Sequence, residues 1–84
     1  MISASYTFIL EMRNTPGMLV RVAQIFGRRG ANITQVHVNP PSGGIFSKMS
    51  ITATDVSSVE QITRQLEKLI DIHSVTVINS DPNH

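Results

Sequence analysis

Two places in this chain have residue types and spacing that could do chemistry. Asn14-Thr15-Pro16-Gly17 stands directly ahead of an apolar stretch with helical period. A helix start offers unpaired N–H groups and a partial positive charge, a natural seat for a carboxylate. Gly17 has no side chain to hold a ligand off the backbone, and Asn14 beside it can both give and accept hydrogen bonds. The plainer reading is an ordinary capped helix, with Asn14 or Thr15 as cap and Pro16 in the first turn. Asn32 is the second place. It opens a strand, where asparagine is disfavoured, so either a turn or a ligand contact accounts for it. If two sheets joined by their edges, Asn32 would share an end with the helix-preceding turn of the neighbouring chain.

Other chemistry finds little support. The chain has no cysteine, which removes disulfides, zinc ribbons and thiol nucleophiles. His37, His73 and His84 lack metal-ligand spacing, and no carboxylates cluster near them. Ser47, Ser50, Ser57 and Ser58 sit in no nucleophile elbow. No glycine-rich phosphate loop follows the first strand. Seven Lys+Arg against six Asp+Glu give a net charge of +1, too even for a nucleic-acid stripe. Arg28-Arg29 therefore reads as a solvated helix end. An acylphosphatase-like enzyme would need a basic phosphate cradle, and Arg13 alone with Thr15-Pro16-Gly17 is too little for one. No apolar run approaches a membrane span, and Met1 to Tyr6 does not resemble a signal peptide, so no membrane and a cytoplasmic location are expected.

The elements that must position these residues follow from periodicity. Tyr6, Phe8, Leu10 and Met12 alternate onto one face of a first strand. After the R-N-T-P-G turn, Leu19, Val22, Ala23 and Phe26 form a helical stripe that ends at Arg28-Arg29, with Gly30 as its C′ residue. Residues 31–39 form a second strand, with Ile33, His37 and Asn39 alternating against Val36 and Val38. Pro40-Pro41-Ser42-Gly43-Gly44 then reverses the chain. A third strand places Ile45, Ser47, Met49, Ile51 and Ala53 on one side and pairs with the second as a hairpin. Asp55 begins a second helix, with Ser57 and Ser58 as alternative caps. That helix carries Val59, Ile62, Leu66 and Leu69 on its stripe, keeps Glu60–Arg64 on the wet side and closes at Asp71. A last strand follows, and residues 80–84 form a frayed tail.

The order βαββαβ, with right-handed crossovers, gives an α+β ferredoxin-like sandwich: a four-stranded antiparallel sheet with both helices on one face. At 84 residues the chain is one domain, 1–84, with its core over about residues 5–79. Burial worth on the order of 120 kcal/mol offsets ordering costs on the order of 125 kcal/mol, so a partner surface is expected.

N-T-P-G-M-L, then F-G-R-R-G-A-N-I, K-M-S-I and K-L-I-D-I-H-S-V resemble the ACT domain of acetolactate synthase small subunits. The likeness runs over residues 5 to 79. It implies a non-catalytic regulatory subunit of branched-chain amino-acid synthesis that modulates a catalytic large subunit by allosteric feedback. It implies a homodimer joined through the second strands, with a branched-chain amino acid at the interface: valine first, or leucine or isoleucine. The family's effector contacts map onto Asn14, Gly17 and Asn32. Met18 and Leu19 would add helix-start N–H groups and packing, with Ile33 an apolar neighbour. No cofactor is expected on this chain; thiamine diphosphate, Mg and FAD belong to the catalytic partner. Many small subunits carry a second domain after the ACT domain. Ending at His84, the chain resembles the short single-domain form or a piece of a longer one. The alternative function is a free-standing ACT amino-acid sensor or interaction module that serves another enzyme.

Overall fold

The computed structural model describes residues 4–41 and 43–79. Its elements are β1 (Tyr6–Met12), α1 (Met18–Arg28), β2 (Asn32–Asn39), β3 (Ser47–Thr54), α2 (Val59–Glu67) and β4 (Ile72–Asn79). They form one antiparallel sheet in the order β2-β3-β1-β4. This is the expected βαββαβ sandwich. The frayed tail and His84 lie outside the described residues, as does Ser42 of the β2–β3 loop.

Alternation in β1 holds as read: Phe8, Leu10 and Met12 are fully buried. Because β1 is central, each of these side chains lies between neighbours from β3 and β4, and the core is built outward from it. Met49, Ile51 and Ala53 of β3, Val22, Ile25 and Phe26 of α1, and Ile62 and Leu66 of α2 complete it. Phe26 meets Phe8 edge to face, with ring centroids 5.0 Å apart.

Four local readings need correction. The α1 stripe is Met18, Val22, Ile25 and Phe26, not Leu19, Val22, Ala23 and Phe26. Leu19 is 47% exposed and Ala23 half-buried. The segment is apolar on more than one side, so either phase fits the period, and contact with the sheet selects the one that buries the larger side chains. Second, neither Asn14 nor Thr15 caps α1 and Pro16 precedes it: Gly17 occupies the cap position at φ +84° without a side-chain hydrogen bond. Third, Ile45 lies before β3 and is 64% exposed, outside the buried row that begins at Ser47. Fourth, both ends of α2 differ from the reading: it starts four residues after Asp55, which sits in the left-handed region at φ 59° and so turns the chain instead of starting a helix, and it ends at Glu67 with Lys68 as C-cap, not at Asp71.

Ser58 caps α2, accepting the Gln61 N–H at 3.2 Å. Ser58→Ala should therefore cost about 1 kcal/mol of stability, whereas Ser58→Asp should be nearly neutral. Urea unfolding checks this, and an unchanged midpoint for the alanine variant would deny the cap. The α2 wet side is as expected, with an exposed Arg64–Glu60 pair at 2.6 Å. At the end of α1, Gly30 (φ +74°) is the C′ residue: its N–H reaches the Gly27 carbonyl at 3.1 Å, and the Ala31 N–H reaches that of Phe26 at 3.1 Å. These two bonds form a Schellman closure, which glycine permits without a Cβ penalty. Arg29 bonds Gln61 at 2.6 Å and ties the two helices together.

β2 holds a further departure. Its register against β3 shifts between Ile33 and Gln35, so Ile33, Val36 and Val38 oppose Ala53, Ile51 and Met49 and share the helix-covered side. Strict alternation would have put Ile33 opposite in sense to the two valines. A bulge inserts one residue and reverses the faces beyond it. β2 is also an edge strand, and Val36 and Val38 stay 43% and 37% exposed.

Candidate effector site

The turn between β1 and α1 is built by short local bonds. Thr15 N–H donates to the Arg13 carbonyl at 3.0 Å, and Met18 N–H donates to that of Thr15 at 3.2 Å. Helical bonding starts with Arg21 N–H on the Gly17 carbonyl at 3.0 Å. The Leu19 and Val20 N–H groups are left with no backbone acceptor among the described residues. A helix of 11 residues directs its positive end at this point, and no acidic side chain lies in its first turn. The end is thus open to an anion. Nothing lies within 4 Å of where a Cβ on Gly17 would sit, so the approach to the backbone is clear. Asn14 is exposed, and its side-chain amide makes no hydrogen bond among the described residues.

Asn14, Gly17, Met18 and Leu19 therefore gather at one end of the sheet. Met18 serves it by packing: its side chain is 1% exposed, and its N–H is already engaged. Leu19 is half-exposed beside the helix start. Asn32 and Ile33 lie elsewhere. β2 begins where β1 begins and runs alongside it through β3, so Asn32 pairs with Thr54 near the far end of the sheet. At about 3.3 Å per residue, the eight residues of β2 separate that end from Asn39 by about 23 Å. One chain cannot bring Asn14 and Asn32 onto one small ligand. An antiparallel β2–β2 pairing of two copies would bring the Asn32 end of one to the turn of the other.

The turn is also held from a direction that sequence reading missed. The Arg13 N–H donates to the Asp71 carbonyl at 2.8 Å, and Thr15 Oγ1 donates to Asp71 Oδ2 at 3.0 Å. Nothing in the sequence links positions 15 and 71. Asp71 also borders a cleft of about 390 Å³ with Arg13, Ile70 and the stacked pair Phe46 and His73, whose rings are 4.5 Å apart. His73 is thus an exposed stacking residue, and no cluster of metal-ligand type occurs among the described residues. No helix among them is long and apolar enough to cross a membrane.

Comparison with known proteins decides the family. Residues 8–74 match the family described as the AHAS small subunit-like ACT domain. The chain belongs to that family. It is 36% identical over 78 residues to the acetolactate synthase small subunit of Mycobacterium leprae, a match covering 92% of this chain and 46% of the relative. It is 39% identical over 74 residues to the probable acetolactate synthase small subunit of Archaeoglobus fulgidus, covering 87% and 46%. The chain spans about half the length of the curated relatives it matches. Among solved structures, the ACT domain from GTP pyrophosphokinase of Chlorobium tepidum superposes with a TM-score of 0.69 at 11% identity, covering 90% of this chain and 99% of that one. At that identity the likeness speaks for the fold alone. An ACT sandwich with small-subunit sequence features is therefore the frame in which the open helix start has to be read.

Proposed function

We propose that this chain is a non-catalytic regulatory unit of an acetolactate synthase. Two copies pair through their β2 edges and hold a branched-chain amino acid, valine before leucine or isoleucine, at the interface. The observation that carries the reading is the open start of α1, flanked by Gly17 and by Asn14, whose side-chain amide has no hydrogen-bond partner among the described residues, in a chain of this family. The α-carboxylate takes the Leu19 and Val20 N–H groups, where helix polarity favours it. The ammonium takes the side-chain oxygens of Asn14 and of Asn32 from the second copy. The branched side chain lies against Leu19. Twofold symmetry gives two such sites per dimer.

Binding at a subunit interface favours one arrangement of the two copies. A catalytic subunit with different affinities for the two arrangements responds to the effector by that difference and no more. The thiamine diphosphate, Mg and FAD of the reaction reside on that catalytic subunit in the cytoplasm, and this chain holds none of them.

Reconstitution tests the reading. Adding the chain to the catalytic subunit should change its turnover, and valine should change it further. If turnover and valine response both stay as they were without the chain, the synthase role is lost. Valine binding that persisted in that case would leave a free-standing sensor serving another enzyme.

A further inference from the structure

Asp71 is hard to explain by the helix it follows. α2 ends at Glu67 with Lys68 as its C-cap, and the following turn closes through backbone bonds alone, Leu69 N–H to Leu66 and Ile72 N–H to Leu69, both at 3.1 Å. A carboxylate shortly beyond a helix C-terminus works against the helix dipole. Its partners lie instead in the β1–α1 turn. The Asp71 carbonyl takes the Arg13 N–H and its carboxylate takes the Thr15 hydroxyl, so the residues on either side of Asn14 are both fixed on one residue. Asn14 is the exposed middle of a three-residue arc closed by the Thr15-to-Arg13 bond. Thr15 and Asp71 are half-buried, so water competes less for their bond than on an open surface.

We propose that Asp71 is a positioning residue for the effector turn: by holding both flanks of Asn14, it sets the direction of the Asn14 amide and the opening of the α1 N-terminus. This rests on the effector reading above. A turn closed only by its own short bonds would sample other shapes, and binding would then have to select the competent one. The latch makes that selection in advance. Its hydrogen bond is charge-assisted, the stronger kind.

The test uses the full chain, with valine as the probe in calorimetric titration. Thr15→Val keeps the shape and removes the donor, Thr15→Ser keeps the donor, and Asp71→Ala removes the acceptor. Thr15→Val and Asp71→Ala should each weaken valine binding roughly tenfold. Thr15→Ser should bind as wild type. The double variant Thr15→Val/Asp71→Ala should be no weaker than either single one, because both remove the same bond. Amide exchange at Arg13 should quicken in the two weakened variants while the β1 amides stay protected, which separates a loosened turn from an unfolded chain. Wild-type affinity in Thr15→Val would overturn the latch and leave the effector reading intact. An equal loss in Thr15→Ser would overturn it too. A wild-type chain that takes up no valine would overturn both, and that is seen before any variant is made.

Discussion

Phe26→Ala should remove 3–5 kcal/mol of stability, roughly the range for truncating a buried aromatic. A chain of 84 residues has on the order of 4–12 kcal/mol in total, so this variant should lose at least about a quarter of that margin and, at the low end of the range, all of it. The size of the effect follows from position. Phe26 is fully buried on α1 and packs edge to face on Phe8, itself in the middle of the central strand. Truncation loses the transfer term and the edge contact, and leaves a cavity between helix and sheet that rigid strands cannot close. Ile70→Ala is the control: Ile70 is 98% exposed, and its loss should stay within about 0.5 kcal/mol. Urea unfolding at one fixed chain concentration gives both numbers. A loss below about 1 kcal/mol for Phe26→Ala would deny the packing described.

The paired variant Val36→Lys/Val38→Lys should turn the proposed dimer into a folded monomer. Both valines lie on the helix side of β2 and remain more than a third exposed, so charge there costs the single chain little. In the twofold pairing proposed here the same edge faces itself, and each added lysine approaches the like charge of the second copy. Effector binding should fall with the dimer, by about 100-fold or more, because Asn32 lies at the far end of the sheet from the Asn14 turn, a strand length of about 23 Å away, and in the proposed pairing the two meet across the two copies. Sedimentation and valine titration on the same samples check both halves. A variant that stays dimeric would move the interface elsewhere, and a monomer that binds valine undiminished would remove Asn32 from the site.

The elements with one decisive signal were legible from residue types alone. The alternation of β1 has a clear apolar row, and Gly30 after Arg28-Arg29 marks the end of α1 at the right residue. Where the sequence offers two equivalent answers, tertiary contact makes the choice. Met18, Leu19, Val20, Val22 and Ile25 surround much of α1 with apolar groups, so period alone does not fix which stripe faces the sheet. The β2 bulge involves Thr34 and Gln35, neither of them a glycine or proline, so nothing in the chain announces the change of face. Asp55 and Ser58 are both good capping types, and only the left-handed backbone at Asp55 separates a turn from a helix start.

The candidate site divides in the same way. Asn14 and Gly17 stand out locally because their types suit a helix start, though Gly17 and not Asn14 takes the cap position. Asn32 could be joined to them only by supposing a second copy, and its place at the far end of the sheet gives that supposition a geometric reason. The Asp71 contact spans 56 positions and arises from how β1 and β4 lie side by side, which no local pattern encodes.

Titration of valine into the wild-type chain and into Asn14→Ala addresses the central claim most directly. Saturable binding with one valine per chain, weakened tenfold or more in the variant, is the expected result. Binding of equal strength in both would place the ligand away from the first turn, and no binding in either would contradict an effector site there.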